Sequence, residues 1–109
     1  MQIINRRELE RMLERRQDFV LIEALPEEDF ETQHLPYAIN IPLEDERFAD
    51  RLREAVPEPE YDIVVYCSDP ASAISREAAR RIEDLGYVSV YQYQDGKVGW
   101  FQADRDAVH

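Results

Sequence analysis

The chain has 109 residues, which is enough for one domain with a single hydrophobic core and no separate substrate domain. Its formal net charge of −11 excludes nucleic acid as a bulk partner, because phosphate binding needs a basic surface. The hydrophobic fraction of 44% is ordinary for a globular protein. Every apolar run is far shorter than the roughly 20 residues of a membrane span. We therefore predict a globular domain without a membrane partner.

The N-terminal sequence and the cysteine content favour the cytoplasm. The segment MQIINRREL lacks the apolar core and the small-residue cleavage site of a signal peptide. Cys67 is the sole cysteine, so it has no partner for an internal disulfide and its thiol stays free in a reducing compartment. The two histidines, His34 and His109, argue against a zinc site of the usual Cys and His kind. We expect no metal.

The acidic composition has two readings. Lys97 is the sole lysine among 13 basic residues, and acidic side chains outnumber the basic ones, a combination expected of a halophilic source. An ordinary acidic cytosolic protein, kept soluble by its charge, has the same composition. Both readings stay open.

The chain opens with the pattern of a helix between two apolar segments. Asn5 and Glu8 have the spacing of a capping box, which predicts a helix from there to about Arg16. The continuous apolar run at 19–25 is typical of a strand covered on both faces, as in a parallel sheet.

Two further helices and a brief strand are predicted next. Pro26 is expected as the first residue of a short helix, PEEDFETQ, whose early acids complement the helix dipole. AINIP is predicted to be a brief strand stopped by Pro42. A helix follows at 44–56, and the proline-containing segment 57–60 is a surface loop. The predicted buried stripe of that helix consists of Phe48, Leu52 and Ala55.

A second strong strand, at 62–66, precedes the loop that contains the cysteine. A helix over 73–85 follows, and Gly86 is the residue type expected just past a helix C-terminus. Alternating apolar and polar residues at 87–91 predict a third full strand. A turn and a short helix at 97–103 close the domain.

Strands that alternate with helices predict an α/β fold with right-handed crossovers. The sheet is expected to be mostly parallel, with helices on both faces. Repeats, low-complexity segments and linkers are absent from the sequence, so we predict a single domain over residues 1–109 with a core at about 3–103. The polar tail at 104–109 is expected to be frayed.

Cys67 lies between a predicted strand and a predicted helix, at the sheet edge where open α/β folds bind ligands. The position is therefore predicted to be reactive rather than part of the core. The loop from Cys67 to Ser72 is predicted to turn its N–H groups inward as an anion-binding nest. Such a nest stabilises a thiolate, which is a nucleophile. Pro70 has no N–H, so one donor is missing.

Beyond this local pattern, the sequence resembles the rhodanese-homology domain. The segments typical of that family occur here in the same order: VVYC, a six-residue loop, a helix containing EAARRIEDLGY, the strand VSVYQY, a DG turn and Trp100. Upstream, LIEALPEEDFETQHLPYAINIP is similar to the family segment in which an acidic residue ends a strand before a His-x-Pro-x-Ala-x-Asn-x-Pro run. The similarity covers roughly residues 3–103, and it implies a rhodanese-like fold with a five-stranded sheet.

The resemblance implies sulfurtransferase chemistry at Cys67. Thiosulfate or a persulfide would give its outer sulfur to the Cys67 thiolate, and a thiol or another small nucleophile would then accept that sulfur. No cofactor is implied, and a partner protein that docks at the loop is one option. The substrate-binding residues implied with the catalytic cysteine are Ser68, Asp69, Pro70, Ala71, Ser72, Ala73 and Arg76.

Two departures from the family pattern bear on the sulfur donor. Thiosulfate-using members usually have an arginine at the position of Ser72, and commonly another at the position of Leu25. Arg76, one helical turn further on, is the candidate to reach back toward the loop. The form YCSDPASAIS is similar to a subgroup with a Cys-x-x-Pro loop that lacks the arginine. Thiosulfate is therefore expected to be a poor donor.

Alternative interpretations stay open. Cys67 is a buried structural cysteine in one of them, and the fold then serves as a binding or regulatory module. A phosphatase of the related cysteine-loop type is disfavoured, because its loop is one residue longer and ends in arginine. We favour a structural hydrogen bond for His34, a turn for Asp69 and sealing of the core for Trp100.

Overall fold

A computed structural model describes the backbone of residues 1–15 and 18–107, with side chains described through Gln102. In these residues, strands and helices alternate along the chain. The strands are β1 (Gln2–Ile4), β2 (Phe19–Glu23), β3 (Ile39–Asn40), β4 (Asp62–Tyr66) and β5 (Val90–Tyr93). The helices are α1 (Arg6–Glu14), α2 (Glu27–Thr32), α3 (Phe48–Ala55), α4 (Ile74–Asp84) and α5 (Gly96–Ala107).

The five strands form one sheet in the order β1-β5-β4-β2-β3. Every neighbouring pair is parallel, so the carboxyl ends of all five strands lie at one edge. β4 is the middle strand and pairs with β2 and β5 over its length. The predicted α/β fold with a five-stranded parallel sheet is confirmed.

The hydrophobic core is divided by the sheet into two clusters. Alternate residues of β4 enter opposite clusters, as strand geometry requires. One cluster joins β4 to α3 and α4 through Phe48, Leu52, Ile63, Val65 and Ile82. The other joins β4 to α1, β5 and α5 through Leu9, Val64, Tyr66, Tyr93 and Trp100. Helices therefore cover both faces of the sheet.

The predicted capping box of α1 is confirmed by two reciprocal hydrogen bonds. The Glu8 amide donates to Asn5 Oδ1 at 2.9 Å, and the Asn5 amide donates to Glu8 Oε1 at 3.3 Å. The helix ends at Glu14, and the predicted end at Arg16 lies outside the described residues. Pro26 is the N-cap of α2 rather than its first helical residue.

α3 begins later than predicted. The Arg47 amide donates to Asp45 Oδ1 at 2.8 Å, which keeps the residues before Phe48 in turns. Ala55 was predicted to be buried and is exposed, because the helix ends there. Val56 at the C-cap takes the buried position instead, with 2% of its surface exposed.

β5 and α5 also differ from the predicted bounds. β5 begins at Val90, because Tyr87 packs into the core before the strand and Val88 is exposed. Gly86 has a φ of +103°, which agrees with its predicted place after α4. α5 extends to Ala107, beyond the predicted end at 103, and residues 108–109 of the predicted tail lie outside the described residues. Within the described chain, no helix has the length and apolar character to cross a membrane.

Candidate active site

Cys67 lies directly after the middle strand, at the carboxyl edge of the sheet. The carbonyl of the preceding residue, Tyr66, accepts from the Ala24 amide at 3.0 Å, which joins this edge to the end of β2. The Cys67 side chain is fully buried. The thiol therefore lies at the predicted edge of the sheet but is buried like a core side chain, and its reactivity stays a prediction.

Asp69 organises the loop that follows Cys67. Its Oδ1 accepts from the amides of Ala71 and Ser72, at 2.8 and 3.1 Å. Its backbone carbonyl accepts from the Cys67 thiol at 3.8 Å. The predicted turn at Asp69 is confirmed. The two amides therefore face the chain's own carboxylate, in contrast to the predicted nest that is open to an external anion.

The first turn of α5 closes the other side of the loop. The Lys97 amide donates to the Cys67 carbonyl and the Val98 amide donates to the Ser68 carbonyl, both at 3.0 Å. Gly96 has a φ of +65°, and a Cβ atom there would lie 2.6 Å from the Cys67 carbonyl oxygen. Only glycine permits this close approach, so Gly96 sets the distance between α5 and the cysteine loop.

A buried polar network lies beside this loop. Glu23 is fully buried, and its Oε1 accepts from the Tyr66 hydroxyl at 2.7 Å. Lys97 Nζ lies 2.9 Å from Glu23 Oε2, an ion pair without the alignment of a hydrogen bond, and donates to the Asp29 carbonyl at 2.7 Å. The Leu35 amide donates to the Tyr66 hydroxyl at 3.1 Å. Burial, together with the Glu23 carboxylate, raises the pKa of Tyr66 above its ordinary value.

The sequence over residues 5–103 matches the family model described as the rhodanese-like domain. The chain belongs to the rhodanese-like domain family. The resemblance inferred from the sequence is therefore confirmed at the level of family and fold.

Individual relatives agree with this membership. The chain is 35% identical over 91 residues to the HTH-type transcriptional regulator Rv0324 of Mycobacterium tuberculosis, covering 82% of this chain. Thiosulfate sulfurtransferase from Pseudomonas aeruginosa superposes with a TM-score of 0.82 over 94% of the chain, at 27% identity. The human single-domain sulfurtransferase TSTD1 superposes with a TM-score of 0.75 at 20% identity, and 94% of this chain covers 96% of that one.

Two of these similar proteins are much longer than the chain. It spans 38% of the length of the mycobacterial regulator and 19% of the Pseudomonas chain. The chain is therefore similar to parts of proteins whose names denote different activities, a regulator and an enzyme.

The structure places most of the predicted site residues next to one another in the loop between β4 and α4. Ser72 Oγ accepts from the Ile74 amide at 3.3 Å, which supports the start of α4. Arg76 is exposed on α4, and in the described part of the chain no hydrogen bond or ion pair joins it to the loop. Its reach toward the loop stays a prediction. The loop residues are Ser68, Asp69, Pro70, Ala71, Ser72 and Ala73.

Glu23 and Lys97 belong to the site region and were not predicted as site residues. Glu23 offered one signal, since an acidic residue at the end of an otherwise apolar strand is costly unless it is paired. Lys97 offered another as the sole lysine of the chain. Neither signal identifies the other residue as its partner, because 74 positions separate them.

His34 and Trp100 have the structural contacts predicted for them. The His34 ring stacks on Phe30 with a centroid distance of 4.0 Å, and His34 Nδ1 lies 2.9 Å from the Phe30 carbonyl oxygen. Trp100 packs edge-on against Tyr93 at a centroid distance of 6.4 Å. Both side chains therefore contribute to packing.

A cavity of about 580 Å³ lies beside the start of α4. Ala24, Leu43 and Ile74 form part of its apolar floor. Among the described residues that line this cavity none is basic, although Arg51 pairs with the Asp45 carboxylate at 2.6 Å. The surroundings of the loop on this side are therefore unfavourable for an anion. The acidic lining residues are Glu27, Glu44, Asp45 and Glu77.

Proposed function

We propose that the chain is a sulfurtransferase or persulfide carrier that moves sulfane sulfur through Cys67. The observation that carries the proposal is the position of Cys67 at the carboxyl end of β4, in a rhodanese-like domain. The names of two structurally similar proteins, both sulfurtransferases, support the same class. A reducing, cytoplasmic location is part of the proposal, because the chemistry requires a free thiol.

The proposed reaction has two displacement steps. The Cys67 thiolate attacks the outer sulfur of a donor persulfide, R–S–SH, and a new S–S bond forms as the donor S–S bond breaks. The donor leaves as the thiolate R–S⁻ with the bonding electron pair, and Cys67 becomes a persulfide. A thiol or another small nucleophile then attacks the terminal sulfur and releases the Cys67 thiolate.

Transfer requires the loop to open. Cys67 is fully buried and its thiol donates to the Asp69 carbonyl, so the closed arrangement offers a donor sulfur no exposed surface of the thiol. In-line attack along the S–S bond also needs space next to Sγ. We therefore propose that the segment after Cys67 moves when the donor binds.

The surroundings of the loop favour donors of low charge. Leu25 and Ser72 occupy the positions at which an arginine was expected, and Leu25 is buried. The cavity at the start of α4 is lined by acidic side chains. Thiosulfate is a dianion and would be repelled, whereas a thiol persulfide has no more than one charge on its sulfur atoms.

Intact mass spectrometry of the reduced protein tests the proposal. We expect a gain of one sulfur mass after incubation with a low-molecular-weight thiol persulfide, and a much slower gain with thiosulfate. The Cys67→Ser variant is the matched control and should gain no sulfur. Absence of the adduct with every donor would contradict the enzymatic proposal.

A regulatory or binding module is the second candidate function. Two observations favour it: the Mycobacterium tuberculosis relative is named a transcriptional regulator, and Cys67 is enclosed in the folded chain. Alkylation with neutral iodoacetamide separates the two candidates. A Cys67 that reacts only after unfolding in denaturant supports the module, and one that reacts in the native protein supports sulfur transfer.

A further inference from the structure

The Asp69 carboxylate occupies hydrogen-bond donors that an anionic donor would need. Oδ1 accepts from the Ala71 amide at 2.8 Å and from the Ser72 amide at 3.1 Å. Hydrogen bonds of an ionised acceptor are stronger than neutral ones, so these amides are firmly held. Pro70, between Asp69 and these two residues, contributes no N–H. The loop therefore has few donors left for a second anion.

The Asp69 carboxylate belongs to the same loop as the reacting sulfur. The backbone carbonyl of Asp69 lies 3.8 Å from Cys67 Sγ, so the main chain of Asp69 is next to the sulfur. The Ser68 hydroxyl, 3.4 Å from Oδ2, is a neutral neighbour. No cation pairs with Asp69 among the residues whose side chains are described. A negative group bound in this loop would therefore meet a like charge that no described cation offsets.

We propose that Asp69 is the specificity-determining residue of the Cys67 site and acts as an internal anion. It excludes sulfur donors that have a negative group next to the transferred sulfur, such as thiosulfate. It admits thiol persulfides, in which other charges lie several bonds away. This inference rests on the proposed sulfur transfer and names the residue that selects its donor class.

Two variants test the role of the carboxylate. Asp69→Asn removes the charge but keeps an oxygen that accepts from the Ala71 and Ser72 amides, so the loop retains its fold. Asp69→Ala removes the charge and frees both amides. Asp84→Asn, at the exposed end of α4, changes the net charge equally and is the matched control.

The first readout is the rate of Cys67 persulfide formation with thiosulfate relative to a thiol persulfide. With thiosulfate the Cys67 thiolate attacks the outer sulfur, and sulfite leaves with the electron pair. We expect the ratio to rise about tenfold in Asp69→Ala, because a like charge at the binding position is removed. Asp69→Asn should give a smaller rise, and Asp84→Asn should give none.

The second readout is independent of persulfide formation. Because Cys67 is the sole cysteine, its alkylation by anionic iodoacetate and by neutral iodoacetamide is measured without ambiguity. We expect the rate ratio of iodoacetate to iodoacetamide to rise in both Asp69 variants. It should stay unchanged in Asp84→Asn.

The outcomes separate the inference from the proposed function. If the wild type forms the persulfide but neither Asp69 variant changes the two ratios, the role of Asp69 is wrong and sulfur transfer stands. If no protein takes up sulfur from any donor, sulfur transfer and the donor selection that rests on it are both wrong. Equal changes in Asp84→Asn would attribute the effect to net charge and overturn the assignment to Asp69.

Discussion

Two buried tyrosines, Tyr66 and Tyr93, show at the residue scale how a hydroxyl group changes the contribution of a core side chain. Their rings pack edge-on at a centroid distance of 6.5 Å, and both are fully buried. The Tyr66 hydroxyl donates to Glu23 and accepts from Leu35. The Tyr93 hydroxyl has no hydrogen-bond partner among the side chains described. The two rings therefore bury similar surface, but burial of the Tyr93 hydroxyl costs more free energy because that hydroxyl makes no hydrogen bond to a described residue.

Replacing each tyrosine by phenylalanine should affect stability differently. Tyr66→Phe leaves Glu23 Oε1 and the Leu35 amide without a hydrogen-bond partner, so we expect a loss of about 1–3 kcal/mol. Tyr93→Phe removes an unsatisfied hydroxyl and should be neutral or stabilising by about 1 kcal/mol. Urea unfolding measures both values. Equal losses in the two variants would contradict this explanation.

Tyr37 has a strained backbone without a compensating contact for its side chain. Its φ is +67°, a region that favours glycine, and 88% of its surface is exposed. We expect Tyr37→Gly to stabilise the fold by about 0.5–1 kcal/mol, after the greater freedom of glycine in the unfolded chain is deducted. Tyr37→Ala retains a Cβ atom and is the control. A similar gain in both variants would show that the backbone conformation is not the cause.

At the element scale, the start of α5 holds together the ends of β2 and β4. Its first amides bind the loop after β4, and Gly96 permits the close approach. The Lys97 side chain reaches Glu23 at the end of β2 and the Asp29 carbonyl in α2. The cysteine loop is thus positioned from outside by a helix that follows it in the chain.

Removing the charge of Lys97 should be costly. Lys97→Met leaves Glu23 buried without its cation, and breaking a buried ion pair on one side typically costs about 3–5 kcal/mol. The free energy of unfolding, from urea titration at pH 7, measures this loss. Glu23→Gln in the same chain should recover much of it, because no unpaired charge then remains. A double variant as unstable as Lys97→Met would assign the loss to packing.

At the scale of the whole molecule, the buried tyrosine side chains of both core clusters make the free energy of unfolding depend on pH in the alkaline range. Burial is the main cause that raises the pKa of Tyr66, Tyr87 and Tyr93. The folded state therefore favours the neutral phenol more than the unfolded state does. This contribution to the free energy of unfolding is fully present below about pH 10, the pKa of tyrosine in the unfolded chain. It is lost as the pH rises toward the higher pKa values of the folded state.

We expect the free energy of unfolding to fall steadily above about pH 10, where unfolded tyrosine ionises. Urea titrations across the alkaline range measure the slope. Tyr93→Phe removes one of the buried phenols, so its profile should fall less steeply than that of the wild type. Parallel profiles for the two proteins would contradict the assignment to buried tyrosine.

Much of the fold follows from local patterns in the sequence. The capping box at Asn5, the apolar run that becomes β4 and the glycine after α4 each act through neighbouring residues. The alternation of these elements then admits few topologies, because crossovers between parallel strands are right-handed. The sequence therefore determined the parallel sheet, the family and the place of Cys67 at its carboxyl edge.

The tertiary structure decided the state of the site. The first amides of α5 hold the backbone of the cysteine loop, and the pairing of Glu23 with Lys97 depends on two elements far apart in the chain. The late start of β5 follows from Tyr87 packing into the core. Hydrophobic periodicity and capping patterns depend on residues within about one helical turn of each other. The contacts named here form only when the sheet brings distant segments together.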